Sequence, residues 1–204
     1  MKPVGGILAG GRARRMNGID KPLAELGGIA LIARVIARLD PQADPVLINA
    51  NGPADRFAPF GLAVVPDLIG GFKGPLAGLH ALMTAARDRG ARHLLAVPAD
   101  TPFLPLDLGD KLSGGSADPD AVRIARSSGR PHPVAAMWPV TLATSLGDFL
   151  GKTNDLSLAA YLRGVNHVEV DFAAEDGTDP FFNINSPEDL EHAEALLAVQ
   201  KTGI

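Results

Sequence analysis

VGGILAGGRARRMNGIDK, residues 4–21, opens as a short apolar run and breaks into a loop rich in glycine and arginine. Residues 4–8 read as a buried strand. Gly10 and Gly11 follow, then Arg12, Arg14, Arg15 and Lys21. Glycine lets the backbone come close to an anion. Successive loop N–H groups make an anion-binding concavity, and arginine brings forked, charge-assisted donors suited to phosphate oxygens. Ligands of open α/β sheets sit beyond the carboxyl ends of the strands, which is where this loop falls. Its excess of arginine points to a polyphosphate. The plainer alternative is a solvated basic surface loop.

Two common phosphate motifs are absent. The P-loop, G-x-x-x-x-G-K-[ST], needs a glycine five residues after Gly10 or Gly11, and Lys21 lies between Asp20 and Pro22. The dinucleotide fingerprint, G-x-G-x-x-G, is not met by glycines at 5, 6, 10, 11 and 18. A nicotinamide-dependent oxidoreductase is disfavoured on that ground.

Outward from the loop, strand and helix patterns alternate. Leu31, Ile32, Val35, Ile36 and Leu39 recur at helical spacing, and Asp40-Pro41 closes that helix. Short strands are expected at 46–48 and 62–65, then a helix opened by Pro75 and running to about residue 87, then a strand at 93–97. This alternation predicts a parallel sheet with helices on both faces. Gly10, Asn49, Asp67 and Asp100 each follow an expected strand, so all four should face one crevice. The second half is less regular. Strands are expected at 121–125, 133–137, 167–172 and 181–184, and helices at 142–150 and 156–162. Residues 176–180 read as a turn, and Ser186, Pro187 and Asp189 as the capped start of a final helix.

Composition bounds the function. The 204 residues, 46% apolar and 21% charged, suit one ordinary globular domain. A net charge of −4 argues against general nucleic-acid binding and makes the basic loop a local focus for an anionic substrate. Cysteine is absent, which removes disulfides, thiolate catalysis and thiolate metal sites and fits a cytoplasmic setting. The N-terminal run does not read as a secretory signal, and no stretch approaches a spanning helix. No membrane role is expected.

Asp100 leads the chemical candidates. It sits past an apolar strand in a loop pinned by Pro98 and Pro102, well placed to hold Mg²⁺ against a triphosphate; the alternative is a helix cap or turn-former. Lys21 and Arg15 are candidates for neutralising charge that builds on a leaving group. Asn49 and Asp67 end neighbouring strands and offer donors and acceptors to a base or ribose, or else form Asx-turns. Asn183 and Asn185 are unusual between aromatic residues and a helix cap, and hydrogen bonds that tie the last strand to the last helix are one reading of them. His80 and His132 read as structural histidines.

LAGGRARRMNGIDKPL closely resembles the signature loop of nucleotidyltransferases that use a nucleoside triphosphate, and most of all the MobA branch, the molybdenum cofactor guanylyltransferases. GPLAGL at 74–79, PADTPFL at 98–104 and DPFFNINSPEDL at 179–190 resemble that branch too, in the same order. Alanine 99 stands where that family often has cysteine.

The resemblance implies a single Rossmann-like, three-layer α/β domain over residues 1–204, with a mostly parallel, nucleotide-diphospho-sugar-transferase-like sheet. Residues 1–104 would bind GTP and Mg²⁺, and residues 105–204 molybdopterin. GMP would pass from GTP to the terminal phosphate of molybdenum-molybdopterin, releasing pyrophosphate. Asp100 would hold Mg²⁺, Lys21 the nucleotide, and Arg15 would act in turnover. Asn49, Asp67 and the backbone of Leu8, Ala9 and Gly10 would bind GTP, and Asn183 and Asn185 would face the second substrate, one of them near the metal. Contacts with cofactor-biosynthesis proteins and molybdoenzyme chaperones are implied as well, with a monomer or weak oligomer. CTP as donor, a sugar phosphate as acceptor, and a nucleotide-binding module without catalysis are the competing readings.

Overall fold

The computed structural model describes residues 2–10, 20–70, 74–174 and 177–202. In chain order these form β1 (Val4–Leu8), β2 (Glu25–Leu26), β3 (Ile29–Ala30), α1 (Leu31–Leu39), β4 (Val46–Asn49), β5 (Ala63–Val65), α2 (Pro75–Asp88) and β6 (His93–Pro98). The chain continues with α3 (Leu108–Gly114), β7 (Val122–Ser127), β8 (Arg130–Pro139), α4 (Ala143–Lys152), α5 (Leu158–Leu162), β9 (His167–Asp171) and α6 (Pro187–Thr202).

One seven-stranded sheet runs in the order β5-β4-β1-β6-β8-β7-β9. Its pairings are parallel from β5 through β6, antiparallel on both sides of β8, and parallel again between β7 and β9. The sheet is thus mostly parallel, as the alternating pattern predicts. The reversal at β8 comes from the two-residue turn Ser128-Gly129, whose φ values of 49° and 74° are those of a hairpin turn matched to strand twist. It has a useful consequence. The carboxyl ends of β1, β4, β5, β6, β7 and β9 and the amino end of β8 share one edge of the sheet.

Each face of the sheet is covered. Ile7, Ile48, Leu95, Val97 and Met137 pack with Ile32, Val35 and Leu39 of α1 and Leu108 and Leu112 of α3. On the other face Leu47, Leu94, Ala96, Ile124 and Trp138 pack with Leu76, Leu79 and Leu82 of α2 and Leu146 of α4. Strands covered on both sides lose the polar alternation of half-exposed strands, which is why β1, β4 and β6 read as continuous apolar runs. Helix α2 lies close on β1 because Gly6 has no side chain; a Cβ there would stand 2.8 Å from Leu82 Cδ1. Pro75 occupies the first turn of α2, where a missing N–H costs nothing.

Two sequence expectations change. Residues 181–184 form no strand: the Ile184 N–H donates to the Asp100 carbonyl at 3.0 Å, and no ladder follows. Buried Phe181 and Ile184 are three residues apart, which is not the period of two of a strand, and the segment is an irregular strap leading into α6. Residues 25–30, not assigned from the sequence, pair as the small antiparallel ribbon β2–β3 around Gly27-Gly28. This ribbon and α6 share a third apolar cluster of Leu26, Leu31, Phe103, Ile184 and Ala193. Among the described residues no helix is long and apolar enough to cross a membrane.

Candidate active site

Asp100 stands two residues past β6, between buried Ala99 and fully buried Thr101. Lys21 opens a short 3-10 turn, Lys21–Leu23, seated by buried Pro22. The Lys21 ammonium pairs with Asp100 Oδ2 and also donates to Asn185 Oδ1 at 2.8 Å. The other carboxylate oxygen, Asp100 Oδ1, is buried and has no hydrogen-bond partner among the described residues. An unpartnered buried carboxylate oxygen is costly unless a cation or donor meets it. Among the described residues no group of three acidic, histidine or cysteine side chains could hold a metal. The open Asp100 Oδ1 is the kind of donor a divalent cation takes when it uses one protein carboxylate and completes its shell with phosphate and water. It does not cap the following helix, whose N-cap is Asp107.

Asn49 and Asp67, at the ends of β4 and β5, lie side by side. Asn49 is only 2% exposed. Its amide donates to the Val65 carbonyl at 3.0 Å and to Asp67 Oδ1 at 2.9 Å, so both N–H groups are committed. Asn51 donates to Asp67 Oδ2 at 2.7 Å and accepts from the Asp67 N–H at 3.0 Å. Each carboxylate oxygen of Asp67 is thus held by an amide and keeps a lone pair for a ligand. The arrangement needs Gly78 on α2, because a Cβ there would fall on the Asn49 carboxamide and lie 2.6 Å from Leu8 Cδ2.

Hydrogen bonds run one residue beyond β1 on both sides, from Ala9 N to the Asn49 carbonyl and from Ala99 N to the Leu8 carbonyl. Leu8, Ala9 and Gly10 therefore stand between Asn49 and Asp100, with Gly10 exposed. Arg56 joins the loop's far end to the Asn–Asp group. It donates to Asp20 Oδ2 at 2.9 Å and to the Asn51 carbonyl at 3.1 Å, with its guanidinium 4.7 Å from the Phe57 ring centre.

The strap before α6 closes the other side. The Thr101 hydroxyl donates to Asn183 Oδ1 at 2.9 Å. The Asn185 and Ser186 N–H groups donate to Asp189, and the Asp189 N–H donates back to the Ser186 hydroxyl. This reciprocal cap, read in the sequence, fixes the start of α6. Further along the same edge, Ser127 contacts His132 Nε2 at 2.8 Å and Asp179 Oδ1 at 2.7 Å. Burial pushes His132 below the ordinary histidine value; Asp179 opposes this and Arg130 adds to it. His80 lies away from this group, on α2 against Gly147 of α4, and burial and Arg87 push it down too.

The structure thus brings Lys21, Asp100 and Asn185 together, sets Asn49 beside Asp67, and binds Asn183 to Thr101. Gly11, Arg12, Arg14 and Arg15 lie outside the described residues. Thr101, Arg56 and the role of Gly78 were missed from the sequence; the stretch Asn49-Ala50-Asn51 resembles the guanylyl branch, although the hydrogen bonds of Asn51 are not readable there. Asn51 alone carried a signal, since an N-x-N at a strand end sets two amides on one side of an extended chain.

Residues 5–168 match the model of the MobA-like NTP transferase domain. A molybdenum cofactor guanylyltransferase of Mesorhizobium japonicum is 41% identical over 195 residues, covering 94% of each chain. Another, of Rhodopseudomonas palustris, is 46% identical over 198 residues, covering 93% of this chain and 91% of its own. Among solved structures, the molybdopterin-guanine dinucleotide biosynthesis protein A of Archaeoglobus fulgidus superposes with a TM-score of 0.74 at 22% identity, over 96% of this chain and 99% of its own.

Proposed function

Because this chain belongs to the MobA-like NTP transferase family, we propose that it transfers GMP from GTP to the terminal phosphate of molybdenum-molybdopterin, giving molybdopterin guanine dinucleotide and pyrophosphate. The observation that carries the reading is the state of Asp100, with one oxygen on Lys21 and the other buried and, among the described residues, without a partner.

An oxygen of the acceptor's terminal phosphate attacks the α-phosphorus of GTP. The bond from that phosphorus to the bridging oxygen breaks, and pyrophosphate leaves with the electron pair. The nucleophile is already ionised near neutral pH, so no strong base is required. Catalysis rests on alignment and charge neutralisation. Lys21 answers the charge on the phosphates, and Arg15 joins it on sequence position alone. Mg²⁺, when bound, supplies charge neutralisation at the α-phosphate, and Asp100 Oδ1 would hold it.

Asp67 reads the base. Guanine presents a ring N–H and an amino group side by side, and two pre-held carboxylate oxygens accept from such a pair. Cytosine and adenine lack that pair, so the geometry favours GTP over CTP and ATP. Asn49 and Asn51 hold the acceptor group in place.

In this reading residues 1–104 carry the nucleotide and residues 105–204 the pterin, with Asn183 and Asn185 facing the second substrate across the join. GTP and free molybdenum cofactor are cytoplasmic metabolites, and the proposed location follows them. Hand-over to cofactor-biosynthesis proteins and molybdoenzyme chaperones completes the proposal. The test is pyrophosphate release with Mg²⁺ and molybdenum-molybdopterin, with GTP, CTP and ATP compared. Release with GTP alone is expected. Release with CTP instead would overturn the base assignment, and release with none would overturn the transfer reading.

A further inference from the structure

One chain of hydrogen bonds at the catalytic edge has no part in the reaction just described. Ser127 ends β7, His132 lies on β8, and Asp179 begins the strap. The Ser127 hydroxyl has a single hydrogen, and it goes to Asp179 Oδ1. Toward His132 the same oxygen can only accept, so His132 Nε2 carries the hydrogen in that contact. The direction is His132 to Ser127 to Asp179, and Asp179 Oδ1 also accepts the Phe181 N–H at 2.9 Å. A nucleophilic serine needs the opposite direction, with its hydrogen aimed at the imidazole. The cluster is therefore not hydrolytic machinery.

Its far end reaches the site already described. Phe181, 3% exposed, stacks on the His132 ring with centroids 4.7 Å apart and meets Phe172 edge-on at 5.3 Å. Three successive residues then touch three elements of the site. Asn183 accepts from Thr101, the Ile184 N–H donates to the Asp100 carbonyl, and Asn185 accepts from Lys21. The strap has no ladder of its own. Beside the burial of Phe181 and Ile184 and the cap on α6, its polar anchors are the β7–β8 hairpin at one end and the acid–cation pair at the other.

We propose that His132, Ser127 and Asp179 are positioning residues for the acceptor. They hold residues 179–186 in the register in which Asn183 meets Thr101 and Asn185 meets Lys21, and so set where the acceptor's terminal phosphate stands relative to GTP. The inference rests on the guanylyl-transfer reading of the site. None of the three acts as acid, base or nucleophile.

Three variants of the full chain test it. His132→Phe keeps a ring on Phe181 and loses the donor. His132→Gln keeps an N–H donor and loses the ring. Ser127→Ala cuts the chain in the middle. Amide hydrogen exchange at Phe181 and Ile184, measured without substrate, should accelerate about tenfold in His132→Phe and Ser127→Ala and return toward wild type in His132→Gln. In steady state the first and last should raise KM for molybdenum-molybdopterin about tenfold and leave KM for GTP within about twofold, with His132→Gln recovering most of the loss. Unchanged exchange overturns the proposal. So does faster exchange with an unchanged acceptor KM, or an equal rise in both KM values. Wild-type protein that releases no pyrophosphate sinks the transfer reading and the acceptor role with it, whereas unchanged exchange sinks the strap alone.

Discussion

The two halves of the sheet build their share of the site by different means. In the parallel half, β5-β4-β1-β6, the residues stand directly on strand ends: Asp67, Asn49, Gly10 and Asp100 follow four strands in register. In the mixed half, among the described residues, no strand residue hydrogen-bonds Lys21 or Asp100. These strands support an irregular strap, and the strap delivers Asn183 and Asn185. A site on strand ends inherits its precision from the ladder. A site on a strap has to be pinned contact by contact.

If that distinction holds, damage to the parallel half should remove chemistry, and damage at the joints should change affinity or stability. The largest effect belongs to Asp100. Asp100→Asn should lower kcat about a thousandfold while the thermal midpoint stays near wild type, and near-normal turnover would remove Asp100 from the mechanism. Gly78→Ala comes next. It overfills the contact between α2 and Asn49, so a loss of about 1–3 kcal/mol is expected in urea unfolding, with weaker GTP binding. Arg56→Ala frees Asp20 and Asn51 together, and a rise of about tenfold in KM for GTP is expected, with acceptor KM unchanged. Arg56→Lys should recover little, because one ammonium cannot reproduce the fork.

The smallest effect concerns the joint between the halves. His80 on α2 faces α4, and His80 and His132 are both held below the ordinary value of about 6.5 by burial. As pH falls below that value, the unfolded chain takes up protons before the folded one. This stability is therefore complete above about pH 6.5 and is lost as pH falls through the lowered folded values. Thermal midpoints between pH 8 and 5 should decline on the acid side, and His80→Gln should flatten part of the slope. An unchanged slope in that variant would show that His80 does not report folding.

The same contrast explains what could be read from the sequence. Strands β1, β4 and β6 were legible because burial on both faces demands unbroken apolar runs, and Asp100, Asn49 and Asp67 were legible because each follows such a strand. The start of α6 was legible because Ser186 and Asp189 cap it locally. The strap was not legible because its short apolar stretch reads as a strand while its partners are Thr101, Asp100 and Lys21, far away in the chain. Arg56 and Thr101 gave no signal, since Asp20 lies 36 residues from the one and Asn183 82 from the other, and no local period marks either. The two-residue strands of the β2–β3 ribbon are too short for any period, although Gly27-Gly28 is a hairpin signal.

The Lys21–Asp100 pair has one more consequence. Before substrate arrives, the cation and the anion at the centre of the site satisfy each other. Inorganic phosphate alone would compete with the carboxylate for Lys21, and a lone metal ion on Asp100 Oδ1 would place its charge beside the ammonium. A metal–triphosphate complex meets both ends at once, exchanging one ion pair for two. In the proposed reading the pair therefore suits the chelate better than either of its parts.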